Sequence, residues 1–72
     1  MCYVIKIKEI DKDYERYYCK IFIDKNRNPI ALGSNSLTFD VRRFKDKVSV
    51  EGVISHIINE CINVTGCNII KI

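Results

Sequence analysis

The chain has no tryptophan, one proline, one methionine and three glycines, so it lacks the make-up of a proline-rich, collagen-like or low-complexity segment. Gly33, Gly52 and Gly66 stand apart and none precedes a Gly-Lys-Ser or Gly-Lys-Thr, which excludes a phosphate loop of that kind. A single histidine, His56, has no activated serine or cysteine in a signature context beside it, so no nucleophile and base pair is visible. Long hydrophobic runs are also missing. None approaches the roughly 20 residues that span a bilayer. The opening Met-Cys-Tyr-Val-Ile-Lys is interrupted at Lys6 and lacks a basic n-region and a small-residue cleavage site, which points to a cytoplasmic protein with no membrane partner.

What is present describes one small folded domain over residues 1–72. Hydrophobic residues make up 47% and charged residues 29%, the balance of a globular chain rather than a disordered one. A chain this short buries only roughly 60% of the surface its unfolded form exposes, leaving little room for a deep pocket. Binding on an outer face fits better than catalysis, and the expectation is a non-enzymatic protein. The four cysteines are Cys2, Cys19, Cys61 and Cys67. Cys19 lies among Tyr17, Ile21 and Ile23, and Cys61 falls on the apolar face of a helix, so buried free thiols account for them. His56 and Cys61 are five residues apart and point about 140° apart on a helix. With no Cys-x-x-Cys pair either, no metal site is expected, nor any cofactor. Asn63-Val64-Thr65 matches a glycosylation acceptor, which carries no weight without a route to secretion.

Hydropathy patterning divides the chain into six candidate elements and the connections between them. Tyr3 to Ile10 alternates Tyr3, Ile5 and Ile7 against Val4, Lys6 and Lys8, as a half-buried strand does. Tyr17 to Asp24 separates Tyr17, Cys19, Ile21 and Ile23 from Tyr18, Lys20 and Phe22; apolar content makes the first set the inward one. The polar stretch from Glu9 to Arg16 reads as the hairpin loop between them. Asp24 to Pro29 is a turn, Ile30 to Leu32 a short edge strand, and Gly33 to Ser36 a break. Leu37 to Phe44 fits both period two and a helical turn; Thr38, Phe39 and Val41 favour a strand. Residues 50–64 form the helix, with Ser49 as N-cap, Glu51 against the positive end of the dipole and Gly66 at a left-handed stop. Cys67 to Ile72 closes as a strand. The predicted fold is α+β, a three- to four-stranded antiparallel sheet with one helix packed on one face. Its core is Ile5, Ile7, Ile21, Ile23, Ile54, Ile57 and Cys61.

The net charge is only +3, but the basic residues are unevenly placed. Arg42, Arg43, Lys45 and Lys47 give four positive charges in six positions ahead of the helix. On the face that one covering helix leaves free, Lys6, Lys8 and Lys20 are interleaved with Tyr18 and Phe22. Aromatics among lysines suit stacking on bases or the centre of a protein interface. They also fit a solvated outer face with lysines guarding its edge.

The Tyr3-Val4-Ile5-Lys6-Ile7 opening, the Arg43-Phe44-Lys45-Asp46-Lys47 run before the helix and the Ile69-Ile70-Lys71-Ile72 close resemble small phage-encoded accessory proteins of β-β-β-α-β order, anti-CRISPR proteins among them. The resemblance implies a phage-type inhibitor that blocks a host defence protein or nucleoprotein complex in the host cytoplasm. It transfers no functional residue. The element order is also similar to that of small RNA-binding-like antitoxins, so the alternative is a nucleic-acid-binding module. A homodimer paired through an edge strand is a further option. The partner-binding residues expected on this reading are Lys6, Lys8, Tyr18, Lys20, Phe22, Arg42, Arg43, Lys45 and Lys47.

Overall fold

A computed structural model describes residues 2–72. It contains strands β1 (Tyr3–Glu9), β2 (Glu15–Ile23) and β3 (Pro29–Ser34), helix α1 (Lys47–Glu60) and strand β4 (Val64–Lys71). The strands make one antiparallel sheet in the order β3-β2-β1-β4. The helix packs across β1 and β4 on one side of it, the α+β arrangement expected. Ile5, Ile7, Tyr18, Ala31, Phe44, Val50, Ile57 and Cys61 form the buried cluster under the helix. Tyr3, Ile21, Val53, Ile54, Val64, Cys67 and Ile69 pack around it.

Two expectations about β2 fail, and one irregularity explains the first. Lys6 pairs with Tyr17 and Ile7 with Arg16, so Tyr17 shares the outer face with Lys6 while Arg16 and Tyr18 share the inner face with Ile7. The pairing with β3 then slips between Tyr18 and Lys20. Cys19 is the extra residue of a bulge, and beyond it alternation resumes with Ile21 inward and Phe22 outward. Tyr18 is therefore a core residue, only 3% exposed, and not part of an outer docking face. Ile23 keeps inward parity but is the last residue of the strand and is 55% exposed instead of core.

Because β2 pairs with β1 only at Lys6 to Lys8, the space beside Tyr3 is left to the chain ahead of the helix. Tyr3 and Phe44 exchange backbone hydrogen bonds at 2.8 and 2.9 Å, and Arg42 N donates to Tyr18 O at 3.0 Å. The segment from Leu37 to Phe44 is thus neither strand nor helix; among the described residues a single bridge at Phe44 is its only regular pairing. Val4 and Val41 are both buried but lie outside the main cluster.

The helix begins three residues earlier than the pattern implies and ends four earlier. Asp46, not Ser49, is the N-cap: its Oδ1 accepts from Ser49 N at 2.8 Å. Its carboxyl is held below the ordinary carboxylate range by that bond and by the Ser49 hydroxyl. Glu51 lies outside the first turn, where no acidic residue is found. At the other end Cys61 is extended, with φ −80 and ψ 124. The residues after it are drawn off the helix axis by tertiary bonds, Ile62 N to Pro29 O at 3.1 Å and Ile10 N to Asn63 O at 2.8 Å. Gly66 sits in β4 with negative φ rather than at a left-handed stop. Gly33 and Ser34, read as a break, are the end of β3.

Ile57 is fully buried at the centre of this core. Ile57→Ala is expected to cost about 2–5 kcal/mol in urea unfolding. A midpoint within error of the parent would contradict the packing described.

Candidate functional site

The sheet face away from α1 is built from every second residue of β1, from β2 offset by the bulge, and from their partners. Lys20 is opposite Leu32 and Phe22 is opposite Ile30, so these four side chains share the outer face of the β2–β3 hairpin. Phe22 is 51% exposed and Leu32 37%. Toward β1 the same face carries Tyr17, Lys6 and Lys8, and on β4 Asn68 and Ile70. The result is an apolar half at the hairpin and a basic half on β1, with Lys20 between them.

The basic half is already engaged within the chain. Lys6 Nζ stands 5.0 Å from the centroid of the Tyr17 ring, a cation–π contact. Lys8 Nζ donates to Glu9 O at 3.2 Å. Lys8 also lies opposite Glu15, whose Oε2 accepts from Asn68 Nδ2 at 2.7 Å. The hairpin tip beyond Phe22 is held by Asp24, whose Oδ1 accepts from Asn26 N and Asn28 N, both at 2.8 Å. Arg27 there adopts φ 65, the left-handed conformation this turn requires.

The segment before the helix divides in two. Arg43 Nη1 donates to the carbonyls of Thr38 at 3.1 Å and Val41 at 3.0 Å, so its guanidinium ties the irregular segment together. Arg42 is exposed, with its guanidinium 5.0 Å from the Phe44 ring centroid. Lys45 and Lys47 are exposed at the start of the helix. Of the nine residues expected to bind a partner, Lys6, Lys8, Lys20 and Phe22 share the outer face, and Tyr18 is turned into the core. Four residues escaped the sequence pattern: Tyr17, whose face was assigned by a period-two reading blind to the bulge, Ile30 and Leu32, whose short run shows no alternation, and Phe39, which is 97% exposed in an irregular segment with no periodicity to read.

On the inner face the chain builds a polar end to its core. Glu9 is 5% exposed; its Oε2 pairs with Arg16 Nη1 at 3.2 Å, and Lys12 Nζ is 3.8 Å from Oε1. Arg16 Nη2 donates to Gly33 O, while Arg16 Nε is buried with no hydrogen-bond partner. A Cβ on Gly33 would lie 3.0 Å from both Arg16 Cβ and Tyr17 O, so any side chain here would press on β2 and the glycine lets the strands close without that crowding. Glu9 and Arg16 read from sequence as part of a loop; they lie at the facing ends of β1 and β2 and meet in a partly buried ion pair.

None of the four thiols is bridged. Burial, with the neighbouring Cys61, pushes the Cys67 thiol up to about 11. Burial likewise raises Cys61 and Cys19, which disfavours their thiolates. No helix among the described residues is long and apolar enough to cross a membrane. Comparison with known protein families, with curated proteins and with solved structures finds no match to this chain.

A thiol whose folded pKa lies above its unfolded value contributes stability that is complete below the unfolded pKa and lost as pH rises through the folded one. For Cys67 that window runs from the ordinary value of 9.0 to about 11. Unfolding free energy should therefore fall across it. Cys67→Ala should flatten part of that decline, the remainder belonging to Cys61, Cys19 and Tyr18, whose values are raised by burial too. An unchanged alkaline slope in Cys67→Ala would contradict the assignment.

Proposed function

We propose that this chain is a small non-enzymatic binding protein that docks a macromolecular partner on the helix-free face of its sheet. The observation that carries the proposal is Phe22, half exposed and placed between Lys20 and the hairpin tip on the face shared with Leu32. A ring left in water gains nothing there, whereas desolvating one at an interface centre is worth about 2 kcal/mol or more. Lysines around an apolar centre give the polar rim that protein interfaces carry and favour a partner with acidic residues at its margin. The finer reading is a phage-type inhibitor that occupies a surface of a host defence protein or nucleoprotein, as anti-CRISPR-like proteins do.

Direct nucleic-acid binding is the second reading, favoured by the exposed Arg42, Lys45 and Lys47. Against it, Arg43 is committed to the Thr38 and Val41 carbonyls and Lys6 to the Tyr17 ring, which leaves fewer cations for phosphates. Salt separates the two. Phosphate binding loses affinity with a log–log slope near the number of phosphates contacted, and an interface centred on a ring loses much less.

The expected outcome is that Phe22→Ala and Lys20→Glu keep native circular dichroism and melting while weakening partner capture from host lysate at least tenfold, with or without nuclease. Tyr18→Ala, by contrast, should lose the fold, since it empties a core position. Unchanged capture by Phe22→Ala would remove the hairpin face from the interface. Capture abolished by nuclease, with a steep salt slope, would replace the protein partner by nucleic acid.

A further inference from the structure

The two edges of the sheet are treated differently, group by group. Antiparallel strands alternate residues that exchange both backbone bonds with their neighbour and residues that direct both groups away from it. On β3 the outward residues are Pro29, Ala31 and Gly33. Pro29 has no N–H, and its carbonyl accepts from Ile62 N. Ala31 N donates to Asn63 Oδ1 and Ala31 O accepts from Asn63 Nδ2, each at 2.9 Å, so one side-chain amide stands where a neighbouring strand would. Gly33 O accepts from Arg16 Nη2. That edge is closed from within the chain at Pro29, at Ala31 and at the Gly33 carbonyl.

The β4 edge is open. Cys2 and Ile72 exchange both backbone bonds, at 3.1 and 2.8 Å. The pairing of β1 with β4 runs without a shift from there to Lys8 opposite Gly66. Ile70, Asn68 and Gly66 therefore bond to β1, while Lys71, Ile69 and Cys67 point their N–H and C=O groups away from it. Tyr3, opposite Lys71, accordingly bonds across to Phe44 on its other side. Among the described residues no hydrogen bond reaches the backbone groups of Cys67, Ile69 or Lys71. From Val64 to Ile70 this edge carries no charge and no proline, the two features that usually deter pairing.

We infer that β4 pairs antiparallel with β4 of a second copy of this chain, extending the sheet across a two-fold axis at Ile69. In that register the two Ile69 residues exchange both backbone bonds, and Cys67 of each copy pairs with Lys71 of the other. All outward N–H and C=O groups of the three residues are then satisfied. The occupant is a second copy rather than an unrelated peptide because the strand is self-complementary there. The only charge on it, Lys71, falls opposite a neutral thiol instead of another lysine, and both helices come to the same side of one continuous sheet. The inference concerns an edge and is independent of what docks on the outer face.

Sedimentation velocity across about 5 µM to 1 mM protein, the range in which a weak interface of this size associates, should show a monomer–dimer equilibrium. Amide exchange at Cys67, Ile69 and Lys71 should slow as the dimer forms. Lys71→Pro removes an outward N–H from an exposed position without touching the β1 ladder, and Ile69→Pro removes the outward N–H at the axis together with a side chain that packs against the core. Each should weaken dimerisation at least tenfold, with Lys71→Pro keeping a native spectrum. A monomer throughout that range, with these three amides unprotected at every concentration, would overturn the inference. So would a dimer of undiminished affinity in Lys71→Pro, which would place the interface elsewhere. Should both variants unfold, concentration-dependent exchange in the unaltered chain decides the matter, since an unrelated interface leaves those amides free.

Discussion

One extra residue in β2 sets the geometry of the whole sheet. Without the bulge at Cys19, a strict period of two from Tyr17 to Ile23 would put Tyr17 and Ile21 on one face and Tyr18 and Phe22 on the other. With it, Tyr18 and Ile21 both reach the core while Tyr17 and Phe22 both stay outside. The local bend that accompanies a bulge also parts β2 from β1. Phe44 fills the resulting opening beside Tyr3, and the irregular segment is pinned there by the bond from Arg42 N to Tyr18 O. The inward turn of Tyr18 and the aromatic content of the outer face follow from that slip.

A domain this small has little apolar area with which to offset chain entropy, and its polar contacts are placed where they finish an element rather than where they add bulk stability. Asp46 starts the helix, Asp24 closes the second hairpin and Asn63 completes the edge of β3. The Glu9–Arg16 pair ends the inner face, where the chain turns from apolar packing to solvent. Breaking such a partly buried pair on one side leaves a desolvated charge, so its value lies in fixing how β1, β2 and β3 meet at Gly33. In the folded chain the Asn63 amide nitrogen is donated to Ala31 O.

Strand existence, the single helix and the core isoleucines of β1 were legible because Ile5, Ile7 and Ile57 obey simple periods of two and 3.6. What escaped the pattern was set by contacts distant in sequence. Val64 continues the apolar stripe of the helix wheel, yet the bonds from residues 62 and 63 to β3 and to Ile10 end the helix before it. Leu37 to Phe44 carries strand-forming residues but has only Tyr3 to pair with. Tyr17 and Tyr18 are chemically the same, so no local preference reveals which one faces inward, and the placement of the bulge decides it. The outer face was therefore located correctly through Lys6, Lys8, Lys20 and Phe22, while its nearest aromatic was misassigned by one position.

The inward turn of Tyr18 is the claim on which the core, the outer face and the docking surface all rest. Hydroxyl-radical footprinting of the native protein, read residue by residue by mass spectrometry, tests it most directly. The expected result is rapid labelling of Tyr14 and Phe22, which are 49% and 51% exposed, and protection of Tyr18, which is 3% exposed. Labelling of Tyr18 at the rate of Tyr14, with Phe22 protected, would mean that the strand faces are reversed and would contradict the account.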